Sequence, residues 1–166
     1  MPFLVIFQYG LYQVIFRANQ VIEALNALKE TTPEEEMAEW TSQMAQARFF
    51  RGLFHFYLYT TFNNGEIIIR DFVPKSQEDF NPSNADITQE LIYSQVEKDL
   101  EIAIANLPLS YDNVSGPDTG QTGRITLGAA NSLMGKLKLY QRDYSSAATY
   151  FKAVVDSNVY SLSSNF

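Results

Sequence analysis

Residues 47–58 read Ala-Arg-Phe-Phe-Arg-Gly-Leu-Phe-His-Phe-Tyr-Leu. Apolar and aromatic side chains recur in this stretch at steps of three and four residues, which is the spacing of one face of an α-helix. The same spacing extends back to Trp40 and forward to Phe62. The stretch therefore predicts a long, strongly aromatic helix that ends at the stop supplied by residues 63–65.

On the amino-terminal side, the spacing predicts another helix over about residues 8–29. The apolar first sixteen residues lack the basic region and cleavage site of a signal peptide and contain polar interruptions, so we interpret them as the start of a buried helix. Between the two helices, Thr32 is the predicted N-cap, Pro33 occupies the first helical position and Glu35 completes a capping box.

On the carboxyl-terminal side, residues 66–70 are β-branched and predict a short extended segment with no second strand to pair with it. Helical spacing and N-cap residues predict three more helices, at about 86–107, 126–141 and 143–157. Thr126 and Asp143 are the predicted N-caps of the last two. Successive helices with short connections indicate an all-α fold built from antiparallel pairs.

The last two predicted helices carry part of a tetratricopeptide-repeat (TPR) pattern. Met134 and Gly135, followed by Ala147, Phe151 and Val154, reproduce small and large positions of that repeat. Small residues let two helices cross closely. We therefore expect TPR-like helix pairs.

Composition narrows the classes of function. Twelve basic and nineteen acidic residues give a net charge of -7, which disfavours nucleic acid as a partner. The absence of Cys excludes disulfides, thiolate zinc sites and Cys nucleophiles. The single histidine, His55, lies in an aromatic helical run, where a structural role is expected. With neither a serine-nucleophile elbow nor a phosphate loop, the sequence predicts no catalytic residue, no metal site, no cofactor and no enzyme.

Six sequence segments occur in a specific order at 12–22, 47–58, 92–108, 123–130, 143–147 and 158–162. In that order they resemble the SusD/RagB-type outer-membrane nutrient-binding proteins. The positions that match family motifs, and that we assign to structure, are Asn19, Arg48, Arg51, Asp99, Gly123, Arg124, Tyr144 and Ala147. We expect the charged residues among them to form ion pairs between helices and hydrogen bonds to helix ends.

The resemblance implies a non-enzymatic protein at the outer-membrane surface that captures an oligosaccharide, or sometimes a peptide. It also implies delivery of that ligand to a SusC-like TonB-dependent transporter. Family members carry a signal peptide and a lipidated Cys, which this chain lacks, and they are several times longer. We therefore expect residues 1–166 to be one SusD-like helical domain, an incomplete portion of a larger lipoprotein.

Aromatic rings beside amides hold sugars, but most of the 22 Tyr and Phe residues fall on predicted helix faces and are expected in the core. The candidates for ligand contact are Asn63, Asn64, Asp112 and Asn113, in predicted loops where an ordinary turn role also fits. Two other hypotheses stay open: a TPR-like adaptor that binds a partner protein in a helical groove, and an inert truncated remnant.

Overall fold

The structure is a computed structural model that describes residues 3–62, 65–80, 87–114 and 116–161. Within these residues, the chain forms five α-helices: α1 (Phe3–Leu28), α2 (Met37–Thr61), α3 (Gln89–Asn106), α4 (Leu127–Tyr140) and α5 (Tyr144–Asp156). Short 3-10 turns lie at Lys29–Thr31, Glu34–Glu36 and Glu78–Phe80. The same residues contain no β-strand, and the predicted all-α fold is confirmed.

Each helix packs mainly against its neighbours in the sequence: α1 on α2, α2 on α3, α3 on α4 and α4 on α5. The main core lies between α2, α3 and α4, where Phe56, Leu100 and Met134 are fully buried. The close crossing expected for a TPR-like pair is present between α4 and α5. A Cβ added at Gly135 would lie only 2.7 Å from the Phe151 ring.

Local capping signals account for most helix starts. The side chain of Thr88 accepts a hydrogen bond from the Leu91 N–H, that of Thr126 from Ala129 and that of Asp143 from Ser146. These contacts confirm the N-caps predicted at Thr126 and Asp143 and fix the start of α3 at Gln89.

The capping box predicted for α2 is wrong. The Thr32 hydroxyl donates to the Leu28 carbonyl at the end of α1, at 2.9 Å, and so does not cap the next helix. Residues Glu34–Glu36 form a 3-10 turn with no side-chain cap, and α2 begins at Met37. A hydroxyl has a choice of nearby backbone partners. Here the partner is the Leu28 carbonyl of the preceding helix, which also accepts from the Thr32 N–H at 2.9 Å.

Helix α1 buries a narrower stripe than its apolar pattern predicts. Its buried apolar residues are Leu11, Ile15, Ala18, Ile22 and Leu25. Val21 and Leu28, which lie three residues after Ala18 and Leu25 and so continue the helical spacing, are exposed. Among the described residues, no helix is long and apolar enough to cross a membrane.

Candidate functional site

The chain leaves α2 through a turn at Gly65, whose φ of +89° favours glycine. Residues 65–74, here named the connecting segment, then pass α1 and α2 without a strand partner. Backbone polar groups that leave water need partners, and side chains supply them. The Tyr12 hydroxyl accepts from the Ile68 N–H at 2.9 Å and donates to the Ile68 carbonyl at 3.2 Å.

Amide and guanidinium groups bind the next carbonyls of the connecting segment. The Asn19 Nδ2 donates to the carbonyls of Arg70 and Phe72, each at 3.0 Å. The Arg51 Nη1 donates to the Asp71 carbonyl at 2.9 Å. Three consecutive carbonyls are thus held by two side chains, one from α1 and one from α2.

His55 completes this set of contacts from the interior of α2. Its Nε2 accepts from the Arg70 N–H at 3.0 Å, so Nδ1 carries the proton and donates to the Arg51 carbonyl, also at 3.0 Å. Burial lowers the pKa of His55 to about 4, which keeps the ring neutral as the Nε2 acceptor role requires. Both ring nitrogens are therefore engaged with the backbone.

A buried ion pair holds these side chains in place. Asp99 on α3 is fully buried and accepts from Arg51 through both oxygens, Nε at 2.8 Å and Nη2 at 2.6 Å. Arg48 adds a contact to Asp99 at 3.2 Å, and Arg51 Nη1 donates to the Asn19 Oδ1 at 2.9 Å. The bidentate geometry is the strong form of this interaction. Together with His55, these four residues form the buried network, which joins α1, α2, α3 and the connecting segment.

On the outer side of these contacts lies a cleft of about 840 Å³ between α1 and the connecting segment, here named the α1 cleft. Its aromatic lining consists of Tyr9, Tyr12, Phe16 and Phe72. Its polar lining consists of Gln13, Arg17, Asn19 and Arg70. The rings of Tyr9, Phe16 and Phe72 remain exposed, and Tyr9 has 64% of its surface accessible.

This lining suits a ring-shaped polar ligand. Aromatic faces bind the apolar faces of sugar rings, while amides and guanidinium groups bind hydroxyls. The described residues hold no group of three His, Cys, Asp or Glu side chains that could bind a metal ion. The aromatic and polar side chains of this lining offer stacking and hydrogen bonding to a ligand.

The family comparison agrees with this chemistry. A SusD-like family model, described as starch-binding and associating with the outer membrane, matches residues 6–139. The chain belongs to the SusD-like family. The resemblance to SusD/RagB-type proteins expected from the sequence is thereby confirmed. No curated protein matches the chain.

Solved SusD-like structures share the fold. A SusD homologue from Bacteroides thetaiotaomicron VPI-5482 is 24% identical, with a TM-score of 0.78 over 93% of this chain and 30% of its own. A SusD-like carbohydrate-binding protein from Bacteroides fragilis NCTC 9343 is 22% identical, with a TM-score of 0.73 over 90% and 27%. A protein solved with a xylogluco-oligosaccharide is 25% identical, with a TM-score of 0.68 over 95% and 30%. The chain thus spans under a third of each of these proteins.

The ligand-contact residues predicted from the sequence do not lie on the α1 cleft. Asp112 and Asn113 are exposed turn residues between α3 and α4 and are not among its lining residues. Asn63 and Asn64 lie outside the described residues.

The remaining SusD-like motif positions have varied surroundings. Arg124 pairs with Asp118 at 2.5 Å, and Gly123 beside it is exposed. Ala147 is buried under α4, whereas Tyr144 is 66% exposed at the start of α5.

Sequence reasoning missed the aromatic residues of the α1 cleft because it assigned most rings to the core. One signal could have revealed two of them. Tyr9 and Phe16 are seven residues apart, so they share a helix face. That face lies away from the buried stripe through Leu11 and Ile15.

Proposed function

We propose that this SusD-like chain binds a glycan without altering it, and that the α1 cleft is the binding site. The observation that carries the proposal is the set of exposed rings of Tyr9, Phe16 and Phe72 beside the Gln13 amide and the Arg17 and Arg70 guanidinium groups. The family description as starch-binding supports a glycan as the ligand class. The relative solved with a xylogluco-oligosaccharide adds a second glycan to test.

The lining of the α1 cleft also supports a non-enzymatic role. Glycoside hydrolysis generally uses a pair of carboxylates on either side of the scissile bond. The described residues that line this cleft include no Asp or Glu. The proposed function therefore contains no chemical step, and the site has only to hold and release its ligand.

The proposal extends to the cellular setting of the family. The bound glycan is passed to a SusC-like TonB-dependent transporter at the cell surface, where the protein is associated with the outer membrane. The family description supports the membrane association. The transporter partner follows from the SusD-like resemblance.

Isothermal titration calorimetry with malto-oligosaccharides and xylogluco-oligosaccharides tests the ligand. Tyr9→Ala is expected to weaken binding by roughly tenfold, because it removes one exposed stacking ring. Tyr144→Ala is the matched control, since Tyr144 is 66% exposed, as Tyr9 is 64% exposed, but lies on α5. Absence of binding to any glycan, with capture of a soluble protein partner instead, would favour the TPR-like adaptor hypothesis.

Two further measurements test the rest of the proposal. Incubation with the same oligosaccharides should leave them intact by mass spectrometry, and released shorter products would contradict a purely binding role. Affinity purification from outer membranes of cells that express the complete protein should recover a TonB-dependent transporter. Recovery of the tagged protein without any transporter would contradict the delivery step.

A further inference from the structure

We infer that the binding site is an extended groove across α1 that takes an oligosaccharide of several sugar units, with Phe50 of α2 as a platform for its far end. This inference rests on the proposed function. The inference adds the length of the ligand and the path that the ligand follows across the protein.

A second cleft, of about 410 Å³, lies between α1, α2 and the loop that precedes α4. It is here named the α2 cleft. Its lining includes Gln43, Gln46 and Phe50 from α2, with Asp118 and Arg124 from the loop. The Phe50 ring is 36% exposed. An exposed ring beside polar side chains resembles the α1 cleft, but Glu39 and Asp118 add carboxylates that the α1 cleft lacks.

The two clefts meet on the surface of α1. Val14 and Arg17 line both of them. Along α1, their lining runs from Tyr9 to Val21, which corresponds to about 18 Å at the rise of an α-helix. A groove of this length exceeds a single sugar ring and suits a chain of them.

Arg17 is placed to contact a ligand that passes between the clefts. It is exposed, and its Nη1 donates to the Gln20 Oε1 at 3.1 Å. A guanidinium group has five N–H donors in one plane. Arg17 can therefore donate to sugar hydroxyls while the flanking aromatic rings stack.

The walls of the α2 cleft are held in place before any ligand arrives. Arg124 contacts the Asp118 carboxylate at 2.5 Å and donates to the Gln46 Oε1 at 3.1 Å. The Gln46 Nε2 donates in turn to Asp118 at 3.1 Å, which closes a ring of three side chains. The Phe50 ring stacks on Phe54 with centroids 6.4 Å apart. Pre-organised walls reduce the entropy lost on binding.

An array of α-glucan, β-glucan and xyloglucan oligosaccharides, each as a ladder from disaccharide to octasaccharide, tests the inference on the complete chain. Affinity should rise by roughly tenfold or more from the shortest to the longest bound members. Phe50→Ala should lower the affinity for long members several-fold and leave that for disaccharides unchanged. Tyr57→Ala is the control, because Tyr57 is 40% exposed on the same helix and lines neither cleft.

The outcomes separate the inference from the proposed function. Equal affinity for short and long members, unchanged by Phe50→Ala, would overturn the extended groove while glycan binding stood. If Tyr57→Ala lowered the affinity for long oligosaccharides as much as Phe50→Ala does, the extended groove would also be overturned. No binding to any ladder would overturn both. Circular dichroism of the two variants checks that each retains its helices.

Discussion

At the scale of single residues, Asp99 is a buried carboxylate whose negative charge is balanced by two arginines. It is fully buried and carries the hydrogen bonds of Arg51 and Arg48. The sequence identified these three residues as motif positions suited to ion pairing. It could not identify Asn19 as a partner of Arg51, because the two lie 32 residues apart and meet only when α1 packs on α2.

Replacing Asp99 by Ala should lower the free energy of unfolding by about 3–5 kcal/mol, because a buried arginine then loses its counter-charge. The matched control is Lys152→Ala, which breaks an exposed ion pair with Asp156 on α5. The control should change stability by about 0.5 kcal/mol or less. Urea denaturation followed by circular dichroism measures both. A similar small loss in the two variants would show that the buried network does not stabilise the fold.

His55 makes stability depend on pH. Its pKa in the folded chain is lowered from 6.5 to about 4, mainly by burial, so the unfolded chain binds the extra proton first as pH falls. The contribution to stability is complete above about pH 6.5 and is lost progressively as pH falls towards 4. Between about pH 7.5 and 5 we expect a loss of about 2 kcal/mol.

Urea denaturation at several pH values measures this loss. Since His55 is the only histidine in the chain, His55→Gln isolates its contribution. In the variant, the dependence of stability on pH over this window should flatten. An unchanged slope would assign the effect to other groups.

At the scale of helices and segments, apolar periodicity and N-cap residues were sufficient to predict most of the helices. Periodicity placed all five helices, and the predicted caps at Thr126 and Asp143 are present. The predicted start of α2 was wrong because the Thr32 hydroxyl donates to the Leu28 carbonyl of the preceding helix. The sequence correctly predicted that the extended residues of the connecting segment have no strand partner among the described residues. Its actual partners, such as Tyr12, lie 56 residues away from Ile68, so no local pattern could reveal them.

The crossing of α2 and α3 gives a prediction for these elements. A Cβ added at Gly52 would lie 3.3 Å from the Asp99 Cβ, whereas one added at Gly10 in α1 would meet no atom within 4 Å. Gly52→Leu should therefore force the helices apart and cost about 1–3 kcal/mol. Gly10→Leu should cost nothing, and it could add up to about 1 kcal/mol, because leucine favours a helix more than glycine does.

Thermal and urea unfolding of the two leucine variants check this prediction side by side. Equal stability of both variants would mean that α2 and α3 do not need the glycine at their contact.

At the scale of the whole molecule, the candidate site depends on how distant segments come together. The α1 cleft joins residues 9–19 to residues 68–74, and the α2 cleft joins α2 to the loop before α4. Sequence reasoning placed ligand contacts in loops because Asn and Asp residues there looked available. The structure leaves Asp112 and Asn113 at an exposed turn and presents aromatic rings on a helix face instead.

NMR chemical-shift mapping of residues 1–166 with a saturating oligosaccharide from the ladders that bind tests whether a glycan occupies the groove across α1. The largest backbone amide shifts should fall on residues 9–21 of α1, on 68–74 of the connecting segment and around Phe50. Shifts concentrated on α5 or around Asp112 and Asn113, with α1 unaffected, would contradict binding in this groove.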